Sequence, residues 1–320
     1  MPLVVGIDEA GYGPLLGPLV IGATLWRASP ATVEADGWAL LTNVACRSAA
    51  GGDGRLPVGD SKRLFDRKRG LATLERTVLA FVHAVGRRCG TVRELLTDLS
   101  SSTGLEDTAC PWYRDLDAPL PRDPARSACG GAAARLTRAM QAAGLACCGL
   151  RVDLLPEDGF NRRVHQTRNK AALPMEAVLR LIAWAGRQCG QQDLYVRVDR
   201  LGGRADYRRA LMQAFPDRHV HELAVGPACS RYRLATPTND WHVEFAVEAE
   251  QRHLSVALAS MLAKYCRELL MERFNAFWGE LRPGVQPTAG YYTDARRFLK
   301  DIGPVVERGG IRPEVFVRQR

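Results

Sequence analysis

Near its start the chain runs an apolar, β-branched stretch, PLVVGI, straight into two adjacent carboxylates, Asp8 and Glu9, and then into a glycine-rich turn. Neighbouring carboxylates at a strand end repel each other unless a cation or a cationic side chain neutralises them. Ends of sheet strands are also where α/β folds gather their ligands. Such a chain has to build a sheet whose strand ends meet at a common place and find a partner for the charge there. Asp199 repeats the pattern, closing LYVRVD just before RLGGR, and Glu250 stands directly ahead of the longest helical stretch. A single strand-end acid most often caps or solvates the next element. Four acids from three separated segments are what hard cations such as Mg²⁺ or Mn²⁺ need for oxygen ligands, and what a two-metal phosphodiesterase needs around its ions.

Periodicity predicts strands at 2–8 and 16–26, on either side of EAGYGPL. From Ser61 to Val85, Leu64, Phe65, Leu71, Leu74, Val78, Phe81, Val82 and Val85 recur at helical spacing behind an Asp60 or Ser61 cap, which predicts one amphipathic helix. Residues 90–143 cluster proline, glycine and serine, with a weakly helical stretch only at 132–143, and read as an insertion. Beyond it, strands are expected at 145–154, 193–199, 219–225 and 241–247. Helices are expected at 171–188, 205–214, 255–280 and 294–302, the third stopped by Pro283. The alternation indicates an α/β fold: a mixed β-sheet flanked by helices, with a C-terminal helical region. One domain over residues 1–320, carrying the 90–143 insertion, is the expected organisation.

No apolar run reaches the roughly 18 residues of a membrane span, and the N-terminal stretch lacks the basic and apolar segments of an export signal, so a membrane-free, cytoplasmic and monomeric protein is expected. Nine cysteines at irregular spacing, with no CxxC pair, argue against a zinc module or a disulfide scaffold and read as reduced and mostly buried. A net charge of +9 favours a polyanionic partner, although an arginine-rich composition alone also yields a basic chain.

GIDEAGYGPLLGP resembles the GxDEAGxGP opening of type 2 ribonucleases H, and DSKRL at 60–64 resembles the DSKxL element that follows it. VDRLGGR resembles the strand carrying that family's third carboxylate, AEQRHLSVALASMLAKY at 249–265 its signature helix with the preceding acid, and AGYYT at 289–293 its GYGT element. The five elements come in the family's order. The resemblance implies a ribonuclease H-like mixed sheet in which Asp8, Glu9, Asp199 and Glu250 are the catalytic, metal-binding carboxylates, with Glu248 the neighbour to consider if the register were shifted. It implies two bound ions, Mg²⁺ or Mn²⁺, and hydrolysis of the phosphodiester 5′ of a ribonucleotide, leaving a 3′-hydroxyl. The partner would be an RNA/DNA hybrid or a ribonucleotide-containing DNA duplex. By the same resemblance Gly11, Tyr12, Gly13, Ser61, Lys62 and Tyr291 bind substrate. Lys62 would contact the nucleic-acid backbone, and Tyr291 would stack on the nucleotide after the ribose. The two glycines let backbone amides approach a sugar and leave carbonyls free for a 2′-hydroxyl.

Four positions depart from the family pattern: Tyr12 stands where a basic residue is usual, Glu250 where aspartate is commoner, and Thr288 and Ala289 where an HK pair is frequent. They raise two alternatives, a hybrid-binding protein without catalysis and the same scaffold acting on another polynucleotide. His253, Trp112 and Tyr113 read as packing residues, and the basic run at 66–70 as a solvated face.

Overall fold

A computed structural model describes residues 1–48, 54–65, 70–100, 105–125, 127 and 129–319. Of the basic run at 66–70, all but Gly70 lies outside the described residues, as do 101–104, 126 and 128 of the 90–143 stretch. A seven-stranded sheet forms the centre: β1 (Leu3–Ala10), β2 (Leu19–Ala28), β3 (Leu145–Leu155), β4 (Leu194–Asp199), β5 (His219–Val225), β6 (Cys229–Ala235) and β7 (Asp240–Ala246). Their spatial order is β3-β2-β1-β4-β7-β6-β5. β1 pairs parallel with β4, and β4 with β7, while the outer pairings are antiparallel. The sheet is therefore mixed and helices cover both faces, as expected.

Alternation along β1 decides which face each residue serves. Leu3, Val5 and Ile7 pack into the core under helix α6 (Ala172–Cys189), together with Leu194, Val196 and Val198 of β4. Val4, Gly6 and Asp8 face the other way, toward helix α9 (Leu254–Leu281), as do Tyr195, Arg197 and Asp199. Helix α9 passes unusually close to the sheet. A Cβ on Gly22 of β2 would lie 2.4 Å from the Ala259 carbonyl oxygen, so only glycine admits the helix at that distance. Because helix α9 is sandwiched between the sheet and further helices, nearly all of Leu254–Ala263 is buried around its whole circumference.

The expected helix from Ser61 to Val85 is instead two: α1 (Ser61–Leu64) and α2 (Ala72–Ala84). Asp60 caps α1 by accepting from the Lys62 amide at 2.9 Å, as expected. Phe65 then turns extended (φ −91°, ψ 117°) and ends the helix. Within the 90–143 stretch, α3 (Val92–Leu99) and α4 (Gly130–Ala142) bury one face each, where one weak helix was expected. Trp112 is buried edge-on against Phe274, Phe277 and Phe316, so this stretch packs into the same core as helix α9. Helices α5 (Glu157–Thr167), α7 (Arg208–Ala214), α8 (Ala249–Arg252) and α10 (Tyr292–Gly309) complete the helical layers. Helix α5 and strand β6 have no counterpart in the sequence reading. All nine cysteines are free thiols, five of them buried. Among the described residues no helix is long and apolar enough to cross a membrane.

Candidate active site

The parallel register of β1 and β4 sets Ile7 beside Val198, which carries Asp8 alongside Asp199 at the ends of neighbouring strands. Both carboxylates face helix α9, and the hydroxyl of Ser260, nearly two turns into that helix, hydrogen-bonds Asp8. Ser260 Oγ also lies 3.0 Å from Ser61 Oγ, so the start of α1 is fastened to the same point. Glu250 comes from α8, where the chain leaves β7 and turns: the Ala249 amide donates to Asp199 Oδ1 at 3.0 Å, holding the strand end and the short helix together. Glu248 lies in the turn itself, immediately before α8, with a left-handed backbone (φ 52°), and is exposed.

These segments form a cleft of about 240 Å³ lined by Asp8, Glu9, Asp199 and Glu250 together with Gly11, Tyr12, Gly13, Ser61, Lys62 and Tyr291. Every site residue singled out from the sequence is thus at one place. Asp60, Ser260, Lys264 and Arg267 line it too; the sequence marks Asp60 only as a cap and does not single out the other three. The signal was available: Ser260, Lys264 and Arg267 recur at 4 and 3 residues, one face of a helix that is otherwise apolar over that span.

Mutual repulsion and burial show in the acids' proton affinities. Burial pushes Asp8 well above the usual carboxylate range, the charges of Glu9 and Asp199 add to it, and the Ser260 hydrogen bond pulls back. Glu9 is pushed up to about 7, chiefly by burial and then by Asp199, against the pull of Lys62. Burial also raises Asp199, opposed by the Ala249 and Arg200 amides and by Lys62. Glu250 rises through burial and the nearby Asp199 charge. Lys62, exposed on α1, acts on three of the four.

Glu9 Oε2 and Glu250 Oε2 are buried with no hydrogen-bond partner. A buried carboxylate oxygen without a partner is costly, and two of them in one acid-lined cleft suit a hard divalent cation with oxygen ligands. The donor chemistry of these residues therefore fits such an ion. Among the described residues no group of three or more histidine, cysteine, aspartate or glutamate side chains is placed so that it could hold a metal ion; the four acids share the lining of the cleft.

The chain is similar to ribonucleases HII and HIII. Solved structures that it resembles include the ribonuclease HII of a PCNA:RNase HII complex from Archaeoglobus fulgidus, at 16% identity over 99% of this chain and 94% of that one, with a TM-score of 0.49. Another is ribonuclease H2 from Pyrococcus horikoshii OT3, at 17% identity over 98% and 92%, with a TM-score of 0.46. A third is Bst-RNase HIII in complex with Mn²⁺, at 14% over 99% and 66%, with a TM-score of 0.43. No family model and no curated protein matches the chain. At these identities the likeness is no guide to single side chains, and their chemistry rests on the geometry above.

Two sequence expectations change at the glycine loop. Gly11 adopts φ +91°, and a Cβ there would meet Arg267 Nε at 2.5 Å and the Pro18 carbonyl at 2.6 Å, so the residue type is dictated by the loop's own packing. The carbonyls of Gly11 and Tyr12 are not free: both accept hydrogen bonds from Arg318. Tyr12 is half-buried, with Lys170 Nζ 5.2 Å from its ring centroid, so a cation stands next to the aromatic residue that replaces one. Ser61 is buried and its hydroxyl is turned to Ser260. Tyr291 is 49% exposed at the cleft rim, 5.9 Å from the Arg267 guanidinium. Thr288, where the family often has a basic pair, is buried and donates to Asp294 Oδ2 at 2.7 Å. His253 pairs with Glu244 at 3.2 Å ahead of helix α9, which fits its reading as a packing residue.

Proposed function

We propose that the chain is a metal-dependent endonuclease of the type 2 ribonuclease H family. Its reaction is hydrolysis of the phosphodiester 5′ of ribonucleotides in RNA/DNA hybrids or ribonucleotide-containing DNA duplexes, with Mg²⁺ or Mn²⁺. One observation carries this reading: carboxylates from three distant segments share a single cleft, and two of their buried oxygens lack any partner. The five ordered sequence motifs and the +9 net charge support it. Residues 1–320 then form one catalytic domain that includes the 90–143 stretch.

In this reading Asp8, Glu9, Asp199 and Glu250 hold the ions. The chemistry that divalent cations would supply there is activation of a water and neutralisation of charge on the departing oxygen, which would need no covalent intermediate. The chain's own groups do the rest. The Ala249 amide fixes one Asp199 oxygen. The Ser61–Ser260 pair keeps Asp8 aimed into it. Lys62, exposed at the cleft, offsets the charge of substrate phosphates, while Lys264 is already paired with Glu268 at 2.7 Å. Tyr291 offers an exposed aromatic face to a base or sugar.

Labelled duplexes holding one ribonucleotide, a short RNA run or no ribose, incubated with Mg²⁺ or Mn²⁺, test the proposal. Cutting of ribose-containing duplexes only, at the 5′ side, is the expected result. No cutting of any such duplex under either metal rejects it, and binding without cutting points instead to a hybrid-binding protein.

A further inference from the structure

The stretch after α10 returns to the cleft loop, more than 300 residues away in sequence. Arg318 is 2% exposed. Its Nη1 donates to the carbonyls of Gly11 and Gly17, the latter at 3.3 Å, and its Nη2 to the Tyr12 carbonyl at 2.8 Å. Its own amide donates to the Leu15 carbonyl at 2.8 Å, and its guanidinium lies 4.0 Å from the Phe160 ring centroid. The stretch is itself fastened. Asn161 Nδ2 donates to the Glu314 and Val317 carbonyls at 2.7 Å each, and Asn161 Oδ1 accepts from the Gln319 amide at 2.8 Å. Burial pulls the guanidinium's pKa down to about 9, against the charge of Glu157, so it stays protonated at neutral pH.

A buried arginine usually ends on a carboxylate, where charge meets charge. Arg318 spends its planar fork on backbone carbonyls of one loop, and this fixes which way those peptides face. The described chain has one cis peptide, Leu120–Pro121, so the loop peptides are trans. In a trans peptide the carbonyl and the following N–H point in opposite directions. With the Gly11 and Tyr12 carbonyls turned to Arg318, the amide hydrogens of Tyr12 and Gly13 turn away from it. Gly11, Tyr12 and Gly13 line the cleft and Arg318 does not, so the side away from Arg318 is the cleft side.

We propose that Arg318 is a positioning residue, resting on the nuclease reading above: by capturing the Gly11 and Tyr12 carbonyls it presents the Tyr12 and Gly13 amides to the cleft as fixed donors for an oxygen of the substrate's sugar–phosphate chain. The chain has no basic side chain at position 12, and preset backbone donors supply recognition there. Discrimination for ribose then depends on a residue that touches neither metal nor substrate.

Full-length Arg318→Lys and Arg318→Met test this. Lysine keeps the charge and loses the fork; methionine loses both. Three measurements apply: affinity for a duplex with one ribonucleotide and for its all-deoxy counterpart, both with Ca²⁺ to prevent cutting; Mn²⁺ binding; and hydrogen–deuterium exchange of peptides over 9–17 and 255–280. The expected result is a ribose-over-deoxyribose preference that falls about tenfold in Arg318→Met and less in Arg318→Lys. Mn²⁺ affinity should be unchanged, and exchange should be faster at 9–17 but not at 255–280. An unchanged preference in a folded variant overturns the proposal, as does faster exchange throughout the chain, which marks a general structural role. If Arg318→Met does not fold, Arg318→Lys decides by the same measurements. A parent protein that binds both duplexes equally overturns the proposal, since it leaves no binding preference for Arg318 to set, as does equal exchange at 9–17 in parent and variant; failure of the nuclease reading is read separately, from the absence of cutting with Mg²⁺ or Mn²⁺.

Discussion

Asp199 serves two partners at once: one oxygen takes the Ala249 amide hydrogen at 3.0 Å, while the carboxylate as a whole sits among three other acids. Asparagine keeps the shape and the acceptor oxygen and removes the charge. Asp199→Asn is expected to reduce cutting by about 10³-fold or more while duplex affinity stays nearly unchanged; a variant that still cuts at a tenth of the parent rate would remove Asp199 from the proposed ligand set. Glu157 makes a separate case, away from the cleft. It is fully buried, accepts from the Tyr113 hydroxyl at 3.0 Å, and burial pushes it up from an ordinary 4.5 to about 7. The fold therefore favours the protonated acid. Its contribution is whole below about pH 4.5, where the unfolded chain is protonated as well, and is lost as pH rises through about 7, up to about 3 kcal/mol. Glu157→Gln imitates the neutral form, so its Tm should exceed the parent's by more at pH 8 than at pH 6, and an equal difference at both would disprove the assignment. The acids of the site were legible because their expense shows in the sequence. Arg318 was not, since nothing in VRQR reveals that its guanidinium ends on the carbonyls of residues 11, 12 and 17.

Helix α9 and strands β1 and β2 work as a unit, because the helix can press on the sheet only where side chains vanish. Adding a methyl at Gly22 drives it to 2.4 Å from the Ala259 carbonyl, a backbone atom that cannot move alone. Gly22→Ala is expected to cost about 1–3 kcal/mol, read as a lower urea midpoint at unchanged slope. Since Ser260 follows Ala259, the proposed nuclease activity should fall along with stability. A midpoint equal to the parent's would mean that the helix sits further from the sheet. Elements with strong periodicity were legible: β1, β2, β4 and helix α9 fall within a few residues of expectation. The 61–85 helix was misread because apolar spacing continues across the break at Phe65, where backbone angles, not hydropathy, end the helix. Strand β6, CSRYRLA, was missed because its alternating arginines look like a solvated segment until β5 and β7 pair on either side of it.

At the scale of the whole molecule, four acids crowd one cleft in a chain that carries a net charge of +9. Ions that bind the folded cleft and not the unfolded chain stabilise the fold by mass action. Mn²⁺ at about a hundred times its Kd should add about 2.7 kcal/mol and raise Tm by about 5 °C; a chelator should reverse the rise, and Glu250→Gln should lose most of it. Identical melting with Mn²⁺ and with chelator would leave the acid cluster without its proposed ligand.

The sequence by itself determined the alternation of strands and helices, the mixed sheet, and which carboxylates stand at strand ends, because period-2 and helical patterns and the repulsion of adjacent acids are local properties. Only the tertiary structure decided that those strand ends are neighbours, that Glu250 rather than Glu248 lines the cleft, and that Arg318 grips the glycine loop. Each depends on parallel register, a left-handed turn or a contact across three hundred residues, and such contacts leave no period in the chain.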